Sequence, residues 1–106
     1  MVIPENEIKV IATQIRKEIL GKKGNPIDMC LLVCLPLQGY LSWSHDLSLE
    51  IVEGELVFNG CFYRHVWLKF EDGSILDPTA SQFNHEGGKK MPAVYMGKKP
   101  KWYKEL

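Results

Sequence analysis

The sequence predicts an α+β fold, with N-terminal helices packed on a small antiparallel β-sheet, and three observations carry that prediction. Apolar residues in the first twenty positions recur at helical spacing, residues near position 50 alternate with period two, and two tight-turn dipeptides, Asn59-Gly60 and Asp72-Gly73, punctuate the second half. Helix signals that precede strand signals, instead of alternating with them, point to segregated layers. At 106 residues the chain holds one core, hence a single domain over 1–106.

The first helix opens at Pro4-Glu5, carries Ile8, Ile11, Ala12, Ile15 and Ile19 on one face, and closes at Gly21. Its polar face, with Lys9, Arg16 and Lys17, is a solvated surface. Gly21-Lys22-Lys23-Gly24-Asn25-Pro26 reads as a linker. A second helix follows, with Asn25 or Asp28 as its cap and Pro26 tolerated in its first turn. Leu47, Leu49 and Ile51 alternate with Ser48 and Glu50, the period of a half-buried strand. Asn59-Gly60 then marks a hairpin leading into the strand around His65. His85-Glu86-Gly87-Gly88-Lys89-Lys90 reads as a loop, and Ala93-Val94-Tyr95-Met96 as a last edge strand.

Composition narrows the function classes. A content of 45% hydrophobic and 25% charged residues is that of an ordinary soluble globular protein. No apolar run approaches the roughly 20 residues of a membrane span, and the N-terminus lacks a basic-then-apolar signal, so a membrane partner is not expected and a cytoplasmic location is the default. Three cysteines, an odd number, argue against a disulfide framework and fit a reducing compartment. Lys98, Lys99, Lys101 and Lys104 make the end of a neutral chain locally basic. No nucleic-acid motif accompanies them, so a solvated tail pinned by Trp102 and Tyr103 is expected, not a nucleic-acid partner. The small size leaves homodimer formation open.

The Asp72-Gly73 hairpin admits two registers. A two-residue turn sets Leu68 opposite Asp77 and buries the carboxylate beside Val66 and Phe70, away from His65. A three-residue loop, Glu71-Asp72-Gly73, with Gly73 left-handed, sets Phe70 opposite Ser74, Leu68 opposite Leu76 and Trp67 opposite Asp77. Val66, Leu68, Phe70 and Leu76 then form one apolar face, and His65, Trp67 and Asp77 share the other. Hydrophobic patterning fixes register and favours this second pairing, which makes His65 and Asp77 diagonal neighbours about 7–8 Å apart along the backbone.

A histidine beside a carboxylate becomes a catalytic pair when a nucleophile joins it. Cys30 falls in the first turn of the second helix, where free backbone N–H groups and the helix dipole favour a thiolate. Cys34, one turn further in among leucines and valine, behaves as a small apolar side chain. Cys61, after Asn59-Gly60, looks like a packing residue of a strand. Cys30 is therefore the candidate nucleophile. A competing composition, Cys30, Cys34, Cys61 and His65 as a Cys3His zinc set, lacks the glycine-rich knuckles that turn a backbone around zinc.

These pieces together resemble the papain-like fold in its transglutaminase-like branch. The resemblance rests on Cys30 at a helix start, the strand Leu49-Glu50-Ile51-Val52-Glu53-Gly54, then Arg64-His65-Val66-Trp67, and finally Asp72-Gly73-Ser74-Ile75-Leu76-Asp77-Pro78-Thr79-Ala80-Ser81-Gln82-Phe83. It implies Cys30 as nucleophile, His65 as general base and acid, and Asp77 as the group that orients His65. Trp67 and Gln82 are expected beside the substrate, and neither metal nor cofactor is implied. The family's cysteine-bearing helix is long and uninterrupted, whereas Pro36 and Gly39 fall in its middle here. An interior proline costs about 3 kcal/mol, which predicts a kinked or short helix.

The chemistry implied is acyl transfer from an amide or related group of a protein or peptide through an acyl-enzyme. Water as acceptor makes a peptidase or deamidase, and an amine makes a transglutaminase. The alternative expectation is a catalytically weak or inactive papain-like fold kept as a protein-binding module.

Overall fold

The computed structural model describes residues 3–21, 29–86 (backbone alone for 85 and 86) and 90–106. Among them, two α-helices pack on a five-stranded antiparallel sheet. The helices are α1, Glu5–Leu20, and α2, Cys30–His45. The strands are β1, Glu50–Phe58; β2, Cys61–Lys69; β3, Ile75–Asp77; β4, Tyr95–Gly97; and β5, Tyr103–Glu105. Spatial order is β4-β3-β2-β1-β5, and a 3₁₀ segment, Ala80–Glu86, follows β3.

Helix α1 starts where the sequence places it: the N–H groups of Glu7 and Ile8 bond to Pro4 O, with Glu5 and Glu7 at the positive end of the dipole and Lys17 at the negative end. It ends as the Gly21 N–H returns to Lys17 O at 2.9 Å. Ile8 and Ala12 are buried and Ile11 and Ile15 pack beside them, but Ile19, expected on the same stripe, is 38% exposed.

Helix α2 runs 16 residues through Pro36, which corrects the expectation of a short helix. Pro36 is on the solvent side, so water can satisfy the carbonyl one turn back that loses its N–H partner. Val33, Cys34, Leu37 and Leu41 face inward. At its end Asp46 turns left-handed, and the N–H groups of Asp46 and Leu47 both reach Leu41 O. The expected cap residues Asn25 and Asp28, with most of the linker, lie outside the described residues, as do 87–89 of the expected loop.

The first strand begins at Glu50, so Leu47–Leu49 precede it as connecting chain, with Leu49 O accepting the Gln38 amide at 2.8 Å. Phe58 pairs with Cys61 across Asn59-Gly60, both at positive φ (51° and 72°), the twist-matched two-residue turn. Between β2 and β3 the sheet adopts the bulged register: Leu68 pairs with Leu76, Phe70 N–H donates to Ser74 O at 2.9 Å, and Gly73 sits at φ 90°. Asp72 Oδ1 secures the loop by accepting from Ser74 N–H and Oγ–H.

This register sorts the core. Leu68 and Leu76, with Val66 and Phe70, pack under the helices against Ile8, Ala12, Cys34, Leu37 and Leu41. On the other face, Val52, Leu56, Trp67, Ile75 and Tyr103 form a second cluster, closed by Phe83, Met91, Tyr95 and Trp102. The basic end is thus not a free tail: β5 pairs with β1 through Leu56 and Tyr103, and Tyr103 is buried. The edge strand near residue 95 exists but holds only Tyr95–Gly97.

Candidate active site

A gap in the sheet brings the helix to the histidine. Phe70 and Leu68 direct their backbone groups toward β3, so Val66 is next in that alternating series. Strand β3 ends at Asp77, however, and Pro78 has no N–H with which to continue a ladder. The N-terminal turn of α2 fills the vacancy. Cys34 donates its thiol proton to Val66 O, with sulfur and oxygen 3.7 Å apart, and the Val66 backbone also bonds to the Cys30 sulfur.

His65, beside Val66, points to the opposite face and is 1% exposed. Its Nε2 lies 2.7 Å from Asp77 Oδ2. A carboxylate there accepts a hydrogen bond from Nε2–H, which leaves Nδ1 as the basic nitrogen. Phe83 stands edge-on to the imidazole at 5.4 Å, and the Tyr103 ring closes another side at 6.2 Å. Asp77 is held in turn by three more donor contacts: Tyr103 O–H to Oδ2 at 2.6 Å, Thr79 N–H to Oδ1 at 3.1 Å, and Thr79 O–H to Oδ1 at 3.5 Å. All four groups are buried, so the network is rigid and shielded from water.

Cys30 and His65 interact both as charges and as hydrogen-bond partners. Nδ1 is buried and has no partner other than Cys30 among the described residues. Burial acts to raise the Cys30 thiol pKa, but the hydrogen bond and positive charge of His65, with bonds from the Val66 and Leu31 backbone, outweigh it and lower the value. Burial acts to lower the His65 pKa, but the charge and hydrogen bond of Asp77, with help from Cys30, push it up to about 9. The two shifts open a pH range in which thiolate and imidazolium coexist.

Cys34 behaves oppositely. Burial, with the nearby charges of Asp77 and Cys30, raises its thiol well above the ordinary range, so it is an inert core group. Cys61 is exposed at the start of β2, which corrects the packing role expected for it. Its exposure at the hairpin tip also removes it from the zinc set, and among the described residues no three His, Cys, Asp or Glu side chains group as metal ligands.

Trp67, expected beside the substrate, needs correction as well. It shares the His65 face but is fully buried, with its indole pressed over Gly54 and against the Tyr103 ring at 5.0 Å, so it offers substrate no surface. Gln82 is 4% exposed; its N–H bonds to Thr79 O and its side-chain oxygen, buried, has no partner among the described residues. Two site residues escaped sequence reasoning. Thr79 had a local signal, since an Asp followed two residues later by a hydroxyl forms a side-chain-to-backbone turn. Tyr103 had none, being 26 positions from Asp77.

Among the described residues no helix is long and apolar enough to cross a membrane. No family model, curated protein or solved structure matches the chain, so its function is read from the site itself.

Proposed function

We propose that this protein is a small cysteine-dependent acyl-transfer enzyme of the papain-like, transglutaminase-like kind, with Cys30 as nucleophile, His65 as general base and acid, and Asp77 as the orienting carboxylate. The observation that carries the reading is the two-sided use of one buried imidazole: Nε2 bonded to Asp77 at 2.7 Å, and the remaining edge left for Cys30.

In this reading the Cys30 thiolate attacks the carbonyl carbon of an amide, a C–S bond forms, and the carbonyl π electrons move to oxygen. The Cys30 backbone N–H, at the first position of α2, is the natural donor to that oxyanion. Collapse of the intermediate breaks the C–N bond, and His65 gives the leaving amine its proton. The thioester then passes its acyl group to water or to an amine, deprotonated by His65 as it attacks, and the Cys30 thiolate is regenerated. Peptidase, deamidase and transglutaminase outcomes share every step up to the acceptor.

Alkylation of the intact chain with iodoacetamide near neutral pH, read by peptide mass, tests this. The expected result is that half-buried Cys30 reacts faster than exposed Cys61, and that His65→Ala slows Cys30 alone. Labelling of Cys30 no faster than that of Cys61, and unchanged by His65→Ala, would leave a binding module as the function.

A further inference from the structure

The geometry points to a second copy of this chain as the occupant of the outward face of α2, forming a two-fold symmetric dimer through Leu32, Leu35, Pro36, Gly39, Tyr40 and Trp43. These positions follow one another at i, i+3, i+4, i+7, i+8 and i+11, so they form a single stripe, opposite the buried Val33, Cys34, Leu37 and Leu41. A solvent-facing stripe ordinarily carries charge. Here α2 has no Asp, Glu, Lys or Arg in 16 residues, while Leu32 is 54%, Leu35 48%, Tyr40 46% and Trp43 91% exposed.

The apolar surface continues onto α1. Val10 is 67% exposed, and beside Tyr40 it borders a groove of about 370 Å³ floored by Ile11 and Ile15. Gln14 and Glu18, joined by a 3.3 Å hydrogen bond, form its polar rim. Side chains of these sizes at these exposures present on the order of 600 Å². That exceeds what scattered surface residues of a monomer need, and it approaches the roughly 800 Å² per partner of a standard interface.

A second copy fits the stripe in area and chemistry, because an uncharged apolar face of this size can meet its like without burying an unpaired charge. Antiparallel packing of α2 on α2 about an axis near Gly39 sets Trp43 of each copy against Leu35 and Pro36 of the other, so every contact occurs twice. Gly39 has open space where a Cβ would stand, and nothing within one copy needs that space. In the dimer it lets the two backbones approach. A formal net charge of zero adds no repulsion between copies. Trp43, one turn to either side of the axis, is then the main anchor of the interface.

Sedimentation velocity on the full chain, from about 1 to 200 µM, tests the proposal. A two-chain species is expected at tens of micromolar. Trp43→Lys and Leu35→Glu are expected to sediment as single chains throughout, with Cys30 labelled at the wild-type rate. Gly39→Leu, which helix propensity favours in the free chain, is expected to weaken the dimer at least tenfold by filling the close approach. A wild-type chain that stays single to 200 µM, a dimer indifferent to Trp43→Lys or strengthened by Gly39→Leu, or assembly beyond two copies would each overturn it.

Discussion

Tyr103 gives its hydroxyl proton to Asp77 Oδ2 at 2.6 Å, the same oxygen that lies 2.7 Å from His65 Nε2. The carboxylate behind the imidazole is therefore shared, and its strength as a partner for His65 is set partly from β5, at the far edge of the sheet. Burial and the charge of Asp77 also raise the Tyr103 hydroxyl pKa, so it stays a donor at any physiological pH.

Tyr103→Phe removes one donor from Asp77 without changing the ring. The carboxylate charge then falls more fully on His65, which becomes more basic and holds the Cys30 thiolate better. The pH midpoint of Cys30 alkylation is expected to move down, while urea denaturation shows a loss of about 1–2 kcal/mol for the missing charge-assisted bond. A midpoint that stays put or rises contradicts this coupling.

Asp77→Asn keeps one acceptor oxygen, which can serve Thr79 or Tyr103 but not both, and removes the charge that does most to raise His65. The imidazole is then largely neutral at pH 7, and the thiol, still half-buried, loses the cation that lowered it. Labelling of Cys30 at pH 7 is expected to fall tenfold or more, with its midpoint displaced upward. Parallel measurement of Cys61 supplies the internal control.

Stability carries the same signature. The His65 pKa is about 9 in the folded chain against 6.5 for the free group, so the proton binds the native state more tightly. His65 thereby contributes stabilisation that is fully present below pH 6.5 and is lost as pH rises through about 9, whereas the lowered Cys30 thiol releases its proton earlier in the folded chain and contributes the opposite slope. Cys30→Ser removes the opposing contribution, so the urea midpoint of that variant should fall across the window while the wild type stays nearly flat. Adding His65→Gln to Cys30→Ser should flatten the fall, and a parallel fall in both would assign the loss to other groups.

Gly54 leaves no room for a side chain: a Cβ there would overlap the Trp67 indole and Lys104 O. Gly54→Ala must displace Trp67 or part β1 from β5, where Gly54 pairs with Glu105. A cost of about 1–3 kcal/mol is expected from thermal or urea unfolding. Because Tyr103 rides on β5, Cys30 labelling should change in the same variant.

Much of the architecture was legible because local chemistry and burial agreed. The helical spacing of Ile8, Ile11 and Ile15 set α1, Asn59-Gly60 set the first hairpin, and the demand that Leu68, Phe70 and Leu76 share one face chose the bulged register, which delivered Asp77 to His65. Where one face is buried, a one-residue slip is too costly to be ambiguous. Pro36 misled because its cost depends on whether water reaches the freed carbonyl, and its exposure is a property of the fold. Trp67 misled for a related reason: its alternation with His65 gave the face correctly, but the C-terminal segment covers that face.

By itself, then, the sequence determined the α+β layering, the hairpin registers and the partnership of His65 with Asp77, all of which follow from periodicity and turn geometry over at most a dozen residues. Only the tertiary structure decided that Cys30 meets the backbone of Val66 where β3 stops, and that Tyr103 completes the hold on Asp77. Those contacts join segments 26 or more positions apart. No local pattern encodes them, because they arise from how separate elements stack once both faces of the sheet are filled.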